Sequence, residues 1–87
     1  MSIATIEKYV EDKNRWGAIF GSKPLSLLNA ADRQKIADSL DADLSPENLT
    51  CDGELPASQV RARHQFLTRA ARELLSIDST VTFYEFN

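Results

Sequence analysis

Guanidinium groups are the side chains of this sequence best suited to holding an anionic partner, and they concentrate in one stretch. Residues 59–75, QVRARHQFLTRAARELL, carry four arginines in a chain whose net charge is −3. On a helix, Arg61, Arg69 and Arg72 fall with Gln65 within an arc of about 80°. Arginine presents a planar fork of donors that fits a phosphate or a carboxylate. The stripe predicts either a grip on such groups or, as the favoured interpretation, the solvated face of an amphipathic helix.

Arg63 and His64 fall outside this stripe, towards the apolar side of the same predicted helix. Because an unpaired charge is costly inside a core, we expect Arg63 either to pair with a carboxylate of another segment or to extend to an edge. We expect His64 to face inward as a hydrogen-bonded structural residue. One histidine and one cysteine supply too few ligands for a metal site, so the sequence predicts no metal and no cofactor.

The middle of the chain is acidic. No basic residue lies between Lys35 and Arg61, and six acids do. We call residues 38–54 the acidic segment, and its candidate interaction residues are Asp41, Asp43, Glu47, Asp52 and Glu54. Acids of this kind are typical of helix caps and turns. They are also typical of an acidic surface that docks on a basic partner.

The acidic segment resembles a calcium-binding loop only in part. Asp41, Asp43 and Ser45 have the one-three-five spacing of an EF-hand, and Asp52 falls at the twelfth place. However, the sixth place is Pro46, where the loop needs glycine, and the twelfth ligand should be a bidentate glutamate. These two departures argue against an EF-hand.

Two further functional motifs, a helix-turn-helix and a cysteine nucleophile, are not supported by the residues present. Residues 33–52 have the length of a helix-turn-helix, but the second helix would be acidic and would be repelled by phosphates. Cys51 and His64 are thirteen residues apart, and nothing in the sequence brings them together for nucleophilic catalysis. The chain also has no glycine-rich phosphate loop and no G-x-S-x-G nucleophile. We therefore expect no catalytic residues and no enzymatic activity.

Four helical segments must carry these residues, and hydrophobic periodicity locates them. They are predicted at about 2–20, at 30–40, in a short turn opened by Ser45-Pro46-Glu47, and at 56–77. Ser2 or Thr5 is expected to cap the first helix, and Gly21 and Pro24 to end it. Asn29 is expected to cap the second helix.

These elements predict a small all-α domain of three main helices, a short helical turn and an extended C-terminal tail at residues 79–87. The first and last helices should form the main antiparallel pair. The expected core comprises Ile6, Val10, Trp16, Phe20, Ile36, Leu40, Val60, Leu67, Ala71 and Leu74.

The C-terminal tail carries an unusual share of large side chains for a chain end. They are Val81, Phe83, Tyr84 and Phe86. Chain ends are normally polar and frayed unless something holds them, so we expect the tail to dock. The favoured dock is the groove between the first and last helices, near Trp16 and Phe20. The alternative is strand pairing with the tail of a second copy in a two-fold dimer.

Composition limits the class of protein. A length of 87 residues fits one domain. A pI near 5.0 argues against a nucleic-acid footprint over the whole surface and against adsorption to anionic membranes. Charges follow Met1 closely and no apolar run reaches the roughly 18 residues of a membrane span, so neither a signal peptide nor a span is predicted. A single cysteine favours a reducing cytoplasm.

The expected function is a non-enzymatic cytoplasmic protein–protein interaction module, an adaptor or modulator. The acidic segment is one place where a basic partner would dock on it. The alternative is an accessory protein that binds nucleic acid through Arg61, Gln65, Arg69 and Arg72. A composition of this kind is typical of small accessory proteins of bacteria and mobile elements. We expect a monomer or a homodimer without membrane association, and the sequence leaves the identity of the partner open.

Overall fold

The structure is a computed structural model that describes residues 3–17 and 25–86. It contains α1 (Ala4–Arg15), a 3-10 turn (Leu25–Leu27), α2 (Ala30–Leu44), α3 (Pro46–Leu49) and α4 (Ala57–Ile77). No strand occurs among these residues. The predicted all-α domain of three main helices, a short helical turn and an extended tail is confirmed.

Helix α2 begins where the sequence predicts and ends one turn later. Asn29 caps it, because its side-chain oxygen accepts a hydrogen bond of 2.9 Å from the Asp32 amide. The helix then continues past its predicted end at Leu40. This extra turn puts Asp41 and Asp43 on a helix that packs against α4, rather than in a loop.

Helix α1 is shorter at both ends than the prediction. It begins after Ile3 without a side-chain cap, and Thr5 lies inside its first turn. It ends at Arg15, followed by Trp16 at the C-cap and by Gly17 with a φ of 99°. Glycine adopts this left-handed backbone at little cost, and the chain leaves the helix axis there. The other predicted signals lie outside the described residues: Ser2, Gly21 and Pro24.

Helices α1 and α4 form the main antiparallel pair, as the periodicity predicts. Near the start of α1, the Ile6 amide contacts Glu73 towards the end of α4. At the opposite ends of the pair, Lys13 and Arg63 line the same cleft. Helix α2 packs across α4 as the third main helix, and the short α3 contacts both α2 and α4.

The core lies among α1, α2 and α4 and extends to the 3-10 turn and the tail. The structure confirms six predicted core residues: Ile6, Ile36, Leu40, Leu67, Ala71 and Leu74. Val10 is half-buried and packs against them. Phe20 lies outside the described residues. The predicted core omitted seven hydrophobic residues that are buried, namely Tyr9, Leu25, Leu28, Ala37, Leu44, Ala70 and Val81.

Three residues expected inside the protein lie elsewhere. Trp16 is 85% exposed. The prediction placed it in the core because it continued the helical periodicity beyond Arg15, where α1 ends. Val60 is only half-buried and stands apart from the core cluster, and His64 is exposed. Both belong to the first half of α4, which lies beside the short α3. A helix of one turn covers less of α4 than α1 and α2 cover further along.

Replacing Trp16 with serine should change the free energy of unfolding by less than about 0.5 kcal/mol, as exposed substitutions usually do. The comparison Leu74→Ala, at a fully buried position, should cost about 2–5 kcal/mol. Urea denaturation followed by far-ultraviolet circular dichroism measures both changes. A loss above about 1 kcal/mol for Trp16→Ser would show that this side chain is packed after all.

Candidate interaction surfaces

Four polar residues lie along one exposed side of α4. Arg61, Gln65, Arg69 and Arg72 are all exposed, and we call them the arginine face. No ion pair joins any of these arginines to a described residue. Their helix is held in place by the packing of α1 and α2 against its other side. Three guanidinium groups on a fixed scaffold are therefore available to an anionic partner.

A shallow cleft of about 570 Å³ lies beside the arginine face, where α4 meets the first turn of α1. Gln65, Arg69 and Arg72 line it together with Thr5. Thr68 lines it as well, although its hydroxyl donates at 2.8 Å to a carbonyl in the preceding turn of α4. No carboxylate of the described chain lines this cleft. Its donors suit a carboxylate or a phosphate, and it holds no nucleophile paired with a base.

A second depression, which we call the apolar groove, lies between α3, the turn after it and the start of α4. Its volume is also about 570 Å³. The lining residues are Leu49, Thr50, Leu55, Ala57, Val60, Arg61 and His64. Arg61 belongs both to this groove and to the arginine face. Apolar side chains therefore adjoin one end of the arginine face.

The acidic segment is not a single surface in the structure. Asp41 is 8% exposed and Asp43 binds other side chains, whereas Glu47, Asp52 and Glu54 are exposed. The first two acids belong to α2, and the other three to α3 and the turn that follows it. Two of the five candidate acids are thus engaged within the fold, and three remain open to a basic partner.

Asp43 ties α2 to α1. Its Oδ2 atom accepts a hydrogen bond of 2.7 Å from the Tyr9 hydroxyl and lies 2.8 Å from Lys13 Nζ. The Ser39 hydroxyl completes the cluster at 2.6 Å from the Tyr9 oxygen. Burial raises the pKa of Tyr9 well above its ordinary value, so the phenol stays protonated and donates to Asp43. A protonated phenol and an occupied carboxylate hold helices together and do not abstract protons.

The C-terminal tail lies along α2. Asp41 accepts hydrogen bonds of 2.8 and 3.0 Å from the amides of Tyr84 and Glu85. Two turns earlier, the Gln34 side chain exchanges hydrogen bonds of 2.9 and 3.0 Å with the backbone of Thr82. Side chains of α2 therefore satisfy backbone groups that a neighbouring strand would otherwise satisfy.

The side chains of the tail divide between the core and the surface. Val81 is buried, and Phe83 and Phe86 pack against the core with their rings edge to face, 5.6 Å between centroids. Tyr84 is 79% exposed. The tail docks on its own helices, but its hydrogen bonds hold it to α2. The expected position between the first and last helices near Trp16 is wrong, because the longer α2 supplies the acceptors.

Asp78 fixes the turn that leads into the tail. Its carboxylate accepts hydrogen bonds from the hydroxyl and the amide of Thr80 and lies 3.6 Å from Arg33. The two Thr80 hydrogen bonds, followed by the charge of Arg33, hold the pKa of Asp78 below its ordinary value. The ionised carboxylate therefore contributes to stability at neutral pH. That contribution is lost only as the pH falls through the lowered pKa.

Glu73 is a buried acid that the sequence analysis did not single out. It is 8% exposed, and its Oε1 atom accepts a hydrogen bond of 2.9 Å from the Ile6 amide in the first turn of α1. A carboxylate at a helix N-terminus satisfies an otherwise unpaired donor and interacts favourably with the helix dipole. Its position could have predicted its burial, because Glu73 lies three residues after Ala70 and next to Leu74, on the buried side of α4.

Comparison with models of known families, with curated proteins and with solved structures gives no match for this chain. No group of three metal-ligating side chains occurs within residues 3–17 and 25–86. Cys51 is exposed in the turn after α3, and it does not line the groove that His64 lines. None of the described helices is both long and apolar enough to cross a membrane.

Arg63 lies between the core and the solvent. It forms no ion pair with a described residue, and its buried Nε atom has no hydrogen-bond partner there. It lines a cleft of about 300 Å³ that also includes Tyr9, Lys13 and Asp43. The Asp43 carboxylate in that cleft is already bound by Lys13. Of the two expectations for Arg63, extension to an edge fits the structure and pairing with a carboxylate does not.

Proposed function

We propose that the protein is a non-enzymatic interaction module, an adaptor or modulator, that binds an acidic segment of another protein through the arginine face. The exposed guanidinium groups of Arg61, Arg69 and Arg72, which have no ion pair in the described chain, support this proposal. A guanidinium and a carboxylate form two parallel hydrogen bonds with defined geometry. We also propose a cytoplasmic location, since an exposed thiol such as Cys51 stays reduced there.

An acidic protein suits the arginine face better than the two other partners that the sequence suggests. A nucleic acid would gain about three phosphate contacts from a chain whose net charge of −3 repels it elsewhere. A basic protein would meet an acidic segment in which Asp41 and Asp43 are already engaged. A short acidic segment of a protein carries matched charge without the extended repulsion of a phosphate backbone.

Reversing the charge of Arg69 and Arg72 together should abolish partner binding. Each glutamate would face the partner's acids, and like charges in an interface weaken binding by more than about tenfold. The measurement is quantitative mass spectrometry of proteins captured from a nuclease-treated extract of the source cells. Arg15→Glu with Lys35→Glu is the matched control, because it changes the net charge equally at exposed positions away from the arginine face. Circular dichroism checks that both variants fold.

Nucleic-acid binding is the alternative outcome, and salt distinguishes it. Fluorescence anisotropy with labelled single-stranded and duplex DNA and RNA at low salt tests it directly. Binding whose log K falls with log salt at a slope near about −3 would favour the nucleic-acid alternative. If the paired Arg69 and Arg72 variant loses neither a captured protein nor a nucleic acid, the arginine face is solvated surface and the proposal is wrong.

A further inference from the structure

A cleft of about 300 Å³ lies between α1 and α4, beside the C-terminal end of α1. We call it the Arg63 cleft. One residue of α2, Asp43, also lines it. Its walls are two helical stripes: Tyr9, Asp12, Lys13 and Trp16 on the side of α1, and Arg63, Phe66 and Leu67 on the side of α4. Residues three and four apart share one face of a helix, so the packing of α1 against α4 fixes the shape of the cleft.

Arg63 is a cation of this cleft for which the chain supplies no anion. All thirteen acids of the chain lie within the described residues, and none of them forms an ion pair with Arg63. Its Nε–H group is buried and has no hydrogen-bond partner among those residues. The residue as a whole is only half-buried, so a ligand in the cleft can reach the guanidinium group and satisfy donors that the fold leaves unpaired.

The other charges of the cleft balance and leave the charge of Arg63 in excess. Asp43 lies 2.8 Å from Lys13 Nζ, and Asp12 lies 3.3 Å from Lys8 Nζ. One positive charge fits a ligand with one negative charge. A phosphate dianion would meet both carboxylates of the cleft, which repel it. A carboxylate carries a single charge and matches the planar fork of a guanidinium group.

Aromatic side chains provide the apolar part of the cleft. Trp16 is 85% exposed and Phe66 is half-buried, and both belong to the lining. Leu67 beside them is buried. Partly exposed rings next to a buried apolar side chain favour a ligand that covers them. Such rings bind another aromatic group in offset-stacked or edge-to-face geometry.

We propose that the Arg63 cleft binds an aromatic carboxylate. The guanidinium group of Arg63 holds the carboxylate through two parallel hydrogen bonds, and Trp16 and Phe66 pack against the ring. Lys13 donates as well, since an ammonium group has three donors and Asp43 takes one of them. A volume of about 300 Å³ lies at the lower end of ligand pockets and suits a body of one or two rings.

This site goes beyond the proposed function and is separate from the arginine face. Gln65, Arg69 and Arg72 line the cleft at the start of α1, whereas Arg63 and Trp16 line the cleft at its end. Neither Arg63 nor Trp16 belongs to the arginine face. Failure of the Arg69 and Arg72 test for partner binding therefore leaves the measurements below unaffected, and the two proposals are judged separately.

Titration with 3-phenylpropionate, which joins one ring to one carboxylate, tests the site. Trp16 is the single tryptophan of the chain, so its fluorescence and the NMR signal of its indole N–H report on this cleft. Both should change with a dissociation constant of about 0.1–1 mM, as expected for a ligand of this size. The controls are 3-phenylpropionamide, which lacks the charge, and butyrate, which lacks the ring. Each should bind at least about tenfold more weakly.

Two variants separate the roles of charge and ring. Arg63→Met removes the guanidinium group and keeps an apolar stem. It should weaken binding of 3-phenylpropionate by about tenfold or more and erase the preference for the acid over its amide. Trp16→Ser should weaken binding of the acid and the amide alike, as followed by the backbone NMR signal of Phe66. Lys35→Met is the matched control, because it removes the same charge at an exposed position outside the cleft, and it should bind like the wild type.

Stability measurements show whether Arg63 serves the fold instead. Because its buried Nε–H group has no acceptor among the described residues, Arg63→Met should be at least as stable as the wild type in urea denaturation. A variant that is less stable but still folded, and that binds 3-phenylpropionate like the wild type, would show that Arg63 has only a structural role. If Arg63→Met does not fold, Arg63→Gln and the comparison of acid with amide on the wild-type chain answer the same question.

The same chemistry occurs at the end of a peptide whose last residue is phenylalanine. Acetylated glycyl-phenylalanine, compared with its C-terminal amide, distinguishes this source from a small aromatic acid: the tighter of the two free acids identifies the source. Two results on the wild-type chain would overturn the proposal. The signals of Trp16 stay unchanged up to about 10 mM of either acid, or each acid binds no more tightly than its amide.

Discussion

Substitution of Asp41 by alanine should free the C-terminal tail and lower the free energy of unfolding by about 2–4 kcal/mol. The carboxylate accepts hydrogen bonds of 2.8 and 3.0 Å from the amides of Tyr84 and Glu85, and hydrogen bonds to a charged group contribute about 1.5–3 kcal/mol each. Water offsets part of this loss at the freed amides, because Tyr84 and Glu85 are exposed residues. Without these two hydrogen bonds, the end of the tail from Phe83 onwards leaves α2, whereas the two hydrogen bonds of Gln34 still hold Thr82. Urea denaturation measures the loss, and hydrogen exchange of the two amides measures the release of the tail.

Two comparisons separate this role from a general effect of charge. Glu47→Ala removes an exposed acid of α3 and should change the free energy of unfolding by less than about 0.5 kcal/mol. Asp41→Asn keeps one acceptor oxygen, so it should protect one of the two tail amides and recover part of the lost stability. Slow exchange of both amides in Asp41→Ala would show that the aromatic side chains hold the tail without the carboxylate.

The distribution of charge along the sequence does not predict the role of Asp41. The sequence assigns Asp41 to the acidic segment because no basic residue lies near it in the chain. In the folded protein it lies on the buried side of α2, in the turn that continues beyond Leu40. On a helical wheel, Asp41 falls at the edge of the arc that Ile36, Ala37 and Leu40 form. Extending the helical periodicity past Leu40 would therefore have indicated that Asp41 lies at the border of the buried side. The tail amides that complete its site are 43 and 44 residues away, beyond the reach of any local pattern.

Helix interiors were predictable and helix ends were not, for a physical reason. Amphipathic periodicity extends over a dozen residues or more, so it identified α1, α2 and α4 and six of their core residues. The end of α1 depends on a few local backbone torsions. Because the helix ends at Arg15, a few residues earlier than predicted, Trp16 lies in the solvent and not in the core. The exposure of the arginine face follows from the same periodicity, whereas the apolar groove depends on how α3 meets α4. No spacing of residues along the sequence predicts how α3 packs against α4.

Glu73→Ala should destabilise the protein by about 1–3 kcal/mol, the cost of leaving a buried donor without its partner. Ile6 is fully buried, and its amide in the first turn of α1 donates to Glu73 of α4. Four amides at the start of any α-helix lack partners within it, and α1 has no side-chain cap of its own. The capping group that local sequence normally supplies therefore comes from a residue 67 positions away.

Glu73→Gln distinguishes the hydrogen bond from the charge. The amide oxygen of glutamine can still accept from Ile6, so this variant should lose only the favourable interaction of a carboxylate with the helix dipole, about 0.3–1 kcal/mol. Glu7→Ala removes an exposed acid from the same turn of α1 and should cost no more than that. Urea denaturation ranks the three variants, and hydrogen exchange at Ile6 should accelerate only in Glu73→Ala. Equal losses for Glu73→Ala and Glu7→Ala would mean that α1 responds to charge near its N-terminus and that the buried hydrogen bond contributes nothing further.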